Sequence, residues 1–347
     1  MSQGFARTLL YISRENDQDA LVRRHRFAGT EGDKKAAALW LRRRLATTVA
    51  TDRVIVTNGT QNSLLLLLSS LVGSGETLLA EPMTYPQLVS LCELLRVRVR
   101  PVEMDASGIL PDAFARACRD HRPKALYTIP TVHNPTTAIM PESRRLEIIE
   151  VARRFGVALI EDDAQGMLPE KAPPPMGALA PDITWYVMSV SKCLSVGLRV
   201  GYVVAPTAED VARVMAFFGR MSMWFAAPLT ASIVARWIER GTAEAVLAGI
   251  REEASYRQNV AIRLLENADL ATQPNALHMW LKPPAGWSVE EFVRAAEEAG
   301  VLVRSGQQFV VDRNYAAEGM RVSLADPSRE ELTRGLSILA ELAKRRR

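Results

Sequence analysis

At 347 residues, 48% of them hydrophobic and 24% charged, the chain can bury one large domain and a smaller companion, and its composition is that of a soluble globular protein. The formal net charge is only +4 and the basic residues are dispersed, so nucleic acid is not an expected partner. The longest apolar run, Leu64 to Leu68 and on to Val72, is too short to span a bilayer, so no membrane is expected either.

The N-terminus, MSQGFARTLLYISREN, has no long apolar stretch and no small-residue cleavage site, which argues against a signal peptide. Residues 1–26 are charged and irregular, weakly helical at best. From Lys34 to Leu45 apolar residues recur at helical spacing among lysines and arginines, which predicts an amphipathic surface helix. From Arg53 onward short apolar strands alternate with helices. Strands are expected at 53–57, 77–80, 98–103, 125–129, 158–161, 182–189 and 201–205, and helices at 60–72, 85–95, 111–120 and 142–155. This alternation predicts an α/β fold in three layers, a mainly parallel sheet covered by helices on both faces. Helical patterns dominate from Pro206 to about Asn267. Beyond them, strands at 276–281, 302–304 and 320–324 with helices at 289–299 and 329–344 predict a small α+β domain. The expected division is 1–46, a segment packing on the small domain, then 47–240 and 241–347. The basic run Lys344 to Arg347 ends the last helix, where cations suit its dipole.

Cys92, Cys118 and Cys193 are scattered, without CxxC or His/Cys spacing, so a reduced, cytosolic protein with no metal site is expected. Cys193 reads as a packed thiol.

In parallel sheets ligands gather at the carboxyl ends of the strands, which selects the loops that matter. The first strand runs into Asn58-Gly59-Thr60-Gln61 and a helix, where glycine and free N–H groups suit an anion; an ordinary N-cap turn looks the same. In EPMTYP, Tyr85 is either a stacking ring or a core tyrosine. In PTVHNPTT, Asn134 precedes a proline and is placed to face a ligand hydroxyl or to make an Asx turn. The strand VALIEDDAQG ends in carboxylates, of which Asp162 could pair with a protonated ring nitrogen. Then comes SVSKCLSVGLRVGY. A lysine amine condenses with an aldehyde when its surroundings keep part of it neutral, and Lys192 lies between two strands with Ser189 and Arg199 as phosphate-binding types. Each feature is weak alone; their order along the strand ends is not.

These motifs make the chain resemble the fold-type I pyridoxal 5'-phosphate (PLP) enzymes of the aspartate aminotransferase superfamily. Within it, the chain is similar to class I/II aminotransferases, the 2-aminoadipate aminotransferases and the aminotransferase domains of MocR-type regulators, without their DNA-binding domain. The resemblance runs from about Phe27 to the C-terminus. It implies a sheet of the seven-stranded type, a homodimer, and amino acids and 2-oxo acids as substrates. Lys192 resembles the lysine that binds the cofactor's aldehyde, Asp162 the partner of the pyridine nitrogen and Asn134 the partner of the ring oxygen. Gly59, Thr60, Gln61, Ser189 and Arg199 match the phosphate site, and Tyr85 the stacking ring. In GMRVSLA, Arg321 matches the anchor of the substrate α-carboxylate. Where the family commonly has a second ring-oxygen tyrosine this chain has Ala164 and Gln165, and Gln165 is expected to donate in its place. Phe27 stands where a tyrosine usually reaches the neighbouring subunit's phosphate, and PTT replaces PTG after Asn134. The implied reaction is amino transfer. Other PLP chemistry (a lyase, decarboxylase or oxidase) and a non-catalytic PLP-binding sensor are the alternatives. Arg14, Arg23 and Arg220 are candidate anchors for an acidic side chain, or solvated surface.

Overall fold

The structure, a computed structural model, describes residues 2–14, 18–219 and 225–344. In chain order it contains helices α1 (Ser2–Ile12), α2 (Gln18–Arg23) and α3 (Glu31–Leu45), then β1 (Val54–Thr57), α4 (Thr60–Leu67), β2 (Thr77–Ala80), α5 (Pro86–Leu95) and β3 (Arg98–Pro101). A small hairpin, β4 (Met104–Asp105) and β5 (Gly108–Ile109), precedes α6 (Pro111–His121), β6 (Ala125–Thr128), α7 (Glu142–Phe155), β7 (Ala158–Asp162) and α8 (Met176–Leu179). There follow β8 (Thr184–Ser189), β9 (Gly201–Val204), α9 (Ala208–Phe218), α10 (Pro228–Glu239) and α11 (Thr242–Leu264). The C-terminal part holds β10 (Leu270–Ala271), β11 (His278–Leu281), α12 (Val289–Glu298), β12 (Arg304–Ser305), β13 (Met320–Ser323) and α13 (Arg329–Lys344).

Seven strands form the main sheet in the order β1-β9-β8-β7-β6-β2-β3, and only β9 runs against the others. Strand alternation divides its side chains between two cores. Ile55, Tyr127, Ile160, Trp185 and Val203 face α4, α5 and α9. Val54, Val56, Tyr186 and Met188 face α3 and α10, while Leu79, Leu126 and Leu159 face α6 and α7. Burial of both faces is what made these strands legible as apolar runs. A second sheet, β10-β11-β13-β12, is antiparallel and covered by α11, α12 and α13. Met83, Trp280 and Phe309 pack the two sheets' loops together, with Thr84 N donating to Phe309 O at 2.8 Å.

Two expectations for the N-terminal part differ from the structure. Residues 2–12 are helical rather than irregular, because Ile12 is buried in the large core and Trp237 Nε1 donates to Thr8 Oγ1 at 3.0 Å. Those contacts place α1 on α10. Helix α3 is buried more deeply than a surface helix: Ala36, Ala37, Trp40, Leu41 and Leu45 all enter the core, and a Thr30–Asp33 capping box starts it. Among the described residues no helix is long and apolar enough to cross a membrane.

Candidate active site

β8 and β9 pair up to Ser189↔Gly201, and the chain between them carries Lys192. Its turn is fixed by Ser191 N donating to Ser189 Oγ (3.1 Å) and Leu194 N to Val190 O (2.8 Å). Lys192 itself opens on a cleft whose walls also include Thr60, Gln61, Tyr85, Asn134, Asp162, Gln165, Ser189, Arg199 and Arg321. Loss of hydration lowers the Lys192 pKa, the Arg321 cation lowers it further, and Asp326 opposes them. Cys193 points the other way, buried, its thiol pushed up to about 12 by burial, which makes it the packed thiol expected.

Gly59 lies under the cleft wall rather than in it. It caps α4 with φ +83, and a Cβ there would stand 3.3 Å from Arg199 Nη2. The guanidinium thus lies over a glycine turn at a helix start, with Arg199 in the left-handed conformation (φ 51). Gln61 Nε2 donates to Tyr85 Oη at 2.9 Å, tying the cup to the tyrosine.

At the end of β7 three successive carboxylates part company. Asp162 faces the cleft, accepting from Tyr127 Oη (2.8 Å) and Ala164 N (3.1 Å); burial pushes its pKa up to about 6 against these bonds, and Asp163 adds to the rise. Glu161 and Asp163 turn to the opposite face. There Arg145 lies 3.5 Å from Glu161, while Arg44 (2.8 Å) and Tyr186 Oη (2.6 Å) both donate to Asp163. Arg44 therefore leaves its expected place on a surface helix for a buried ion pair. Tyr127 was missed by the sequence reading. Its signal is register: Tyr127 pairs with Ile160, two residues before Asp162, so both side chains share one face of the sheet.

The Asn134 turn carries strain. Val132 (φ 53) and Thr137 (φ 65) are β-branched residues in the left-handed region. Thr137 occupies the position where the resembled family has glycine, which gives the PTG-to-PTT change a physical meaning: a conformation suited to glycine is held by Thr137 N donating to His133 O at 2.7 Å. Asn134 Oδ1 is buried without a partner. Gln165 corrects an expectation. Its Nε2 donates to Val132 O at 3.2 Å, and the buried atom left without a partner is the acceptor Oε1.

Arg321 sits on β13, in register with Trp280 on one side and Arg304 on the other. Its Nε is buried without a partner, and burial followed by Arg304 lowers its pKa. The remaining candidates are elsewhere. Arg14 and Arg23 are exposed and not part of the cleft, and Arg220 lies outside the described residues. Phe27 is 40% exposed and meets Phe225 edge-on at 6.1 Å.

The sequence model of the family described as aminotransferase class I and II matches residues 12–339. An uncharacterised HTH-type transcriptional regulator of Bacillus subtilis (strain 168), YdeF, is 29% identical over 91% of this chain and 68% of its own length. A second from the same organism, YisV, is 28% identical over 86% of this chain and 62% of its own, so the chain spans roughly two thirds of these relatives. Among solved structures, LysN, the alpha-aminoadipate aminotransferase of Thermus thermophilus complexed with N-(5'-phosphopyridoxyl)-L-leucine, superposes with a TM-score of 0.87. It is 25% identical, with 99% of this chain and 88% of that one covered.

Proposed function

The chain belongs to the aminotransferase class I and II family, and from that premise we propose that it is a PLP-dependent aminotransferase moving an amino group between an L-amino acid and a 2-oxo acid. The observation that carries this reading is the convergence of Lys192, Asp162 and Arg321 on one cleft.

The residues present suit the cofactor. Asp162 is a buried carboxylate with no cation beside it among the described residues, and a pyridinium N–H would supply one. Asn134 brings a buried amide, and Arg199 over the Gly59 turn with Ser189 and Thr60 would receive the phosphate. Bound PLP supplies an aldehyde for condensation with amines and a conjugated ring that holds the electron pair left when an α-proton departs. The chain's own groups do the rest. Arg321 holds the substrate carboxylate in a bidentate pair. Lys192 Nζ, whose lowered pKa keeps more of it neutral than a free lysine, takes the proton from the substrate Cα and, as an ammonium, would deliver it to the carbon that was the cofactor's aldehyde rather than back to Cα. Tyr127 holds Asp162 in place. Domains 47–240 and 241–347, a homodimer, a cytoplasmic location and a role in amino-acid biosynthesis belong to the same reading. Three buried free thiols support a reducing compartment.

Gly59 gives a direct check on the phosphate end. Gly59→Ala introduces a Cβ against Arg199 at a left-handed position, and is expected to weaken PLP binding about tenfold while costing about 1 kcal/mol of stability. Titration of the cofactor into both proteins measures it; equal affinities would remove Gly59 from the phosphate site.

One second reading is favoured by a specific observation. The HTH-type relatives support a PLP-dependent sensor with little turnover. Incubating PLP-loaded protein with a panel of L-amino acids separates the readings. The aminotransferase forms pyridoxamine phosphate and 2-oxo acid in equal amounts. Consumption of amino acid without pyridoxamine phosphate supports a lyase, decarboxylase or oxidase, and no conversion supports the sensor.

A further inference from the structure

Two of the four histidines, His133 and His278, are buried beside the cleft. On β11, Met279 and Leu281 enter the core of the small sheet, so His278 and Trp280 occupy its other face. Trp280 is in register with Arg321 and His278 with Ser323, which makes His278 a diagonal neighbour of Arg321. His278 Nε2 lies 3.3 Å from the carbonyl oxygen of His133. A carbonyl only accepts, so Nε2 carries the proton and Nδ1 keeps a lone pair.

That carbonyl also accepts from Thr137 N at 2.7 Å, closing the turn that holds Asn134. From the other side, Gln258 Nε2 on α11 donates to the carbonyls of Ala276 (2.8 Å) and His278 (3.1 Å), and the Thr272 hydroxyl donates to Gln258 Oε1. One chain of hydrogen bonds thus runs from α11 through β11 to the strained Asn134 turn.

We propose that His278 is a positioning residue: through the His133 carbonyl it fixes the Asn134 turn relative to Arg321, so that both act on one bound molecule. This rests on the aminotransferase reading, in which Asn134 meets the cofactor ring and Arg321 the substrate carboxylate. Burial, then the Arg321 cation, His133 and Lys192 push the His278 pKa down to about 3, with only the bond to His133 opposing, so the ring stays a neutral donor.

Two probes isolate the effect: pyridoxamine 5'-phosphate, and N-(5'-phosphopyridoxyl)-L-leucine, which adds the carboxylate arm. The wild type binds the leucyl compound more tightly. His278→Met, which fills the space without a donor, is expected to reduce that preference about tenfold, and His278→Gln, whose amide N–H reaches the same carbonyl, to keep it within about threefold. A purely structural role would weaken both probes together and leave the ratio alone; an unchanged ratio in His278→Met, or equal losses in both variants, overturns the proposal. Should His278→Met not fold, nitrogen NMR of the wild-type histidines decides. A neutral Nε2–H ring between about pH 5 and 9 is expected, and an Nδ1–H or charged ring overturns it. A wild type that binds neither probe sinks the aminotransferase reading and this inference with it, whereas binding with an unaltered ratio sinks this inference alone.

Discussion

Lys192→Ala is expected to lower amino-group transfer by about 10⁴-fold or more, because one side chain supplies both the covalent attachment and the proton transfers. The fold should survive. Lys192 opens on the cleft, and the turn around it is held by Ser191 N on Ser189 Oγ and by backbone bonds of Val190 with Val200 and Leu194, all of which alanine keeps. PLP should still bind non-covalently, since Asp162, Ser189 and Arg199 are untouched. Rapid mixing of the loaded variant with amino acid measures the rate, and a loss of less than about tenfold would show that Lys192 is not the proton carrier.

Asp162→Asn is expected to act in opposite directions on stability and turnover. In the cofactor-free protein the Asp162 pKa is about 6, against an ordinary 3.8, because burial outweighs the bonds from Tyr127 and Ala164. The folded state therefore binds this proton more tightly than the unfolded state. Its contribution is most favourable below the ordinary value and falls as pH rises from about 4 to about 6, by up to roughly 3 kcal/mol, and stays low above. Asparagine carries no charge to desolvate. Glu81 and Glu161, both pushed up to about 7 by burial, have the same sign but remain in both proteins, so the difference between variant and wild type isolates position 162. Urea unfolding of the cofactor-free proteins should find the variant more stable at about pH 8 and nearly equal at about pH 4. Turnover of the loaded variant should drop about 10²–10³-fold, as expected when one preorganised charge contact is lost. A variant no more stable at high pH would show that Asp162 is not a desolvated carboxylate.

Trading stability for an uncompensated charge at this position is what a binding site for a cationic ring requires, and it explains which parts of the site could be read in advance. Lys192, Asp162, Asn134 and Gly59 sit at strand ends, and strand ends follow from the alternation of apolar strands and helices. Tyr127 was illegible because its meaning depends on the register of β6 against β7. Arg44 reaches Asp163 across 119 residues and His278 reaches His133 across 145, separations that no local pattern encodes. Helix α1 was missed for a different reason: Phe5, Leu9 and Ile12 recur at helical spacing, but over a segment too short to be a helix without packing on α10. Gln165 could be named from the sequence, but its donor is committed to Val132, a contact created by the strained turn.

The most direct measurement is borohydride reduction of the PLP-loaded protein followed by peptide mass analysis. The account predicts a hydride-stable phosphopyridoxyl group on the peptide containing Lys192, lost when the protein is first saturated with an amino acid that it converts. A phosphopyridoxyl group on another lysine, or on none, would contradict the assignment of Lys192 as the centre of the site.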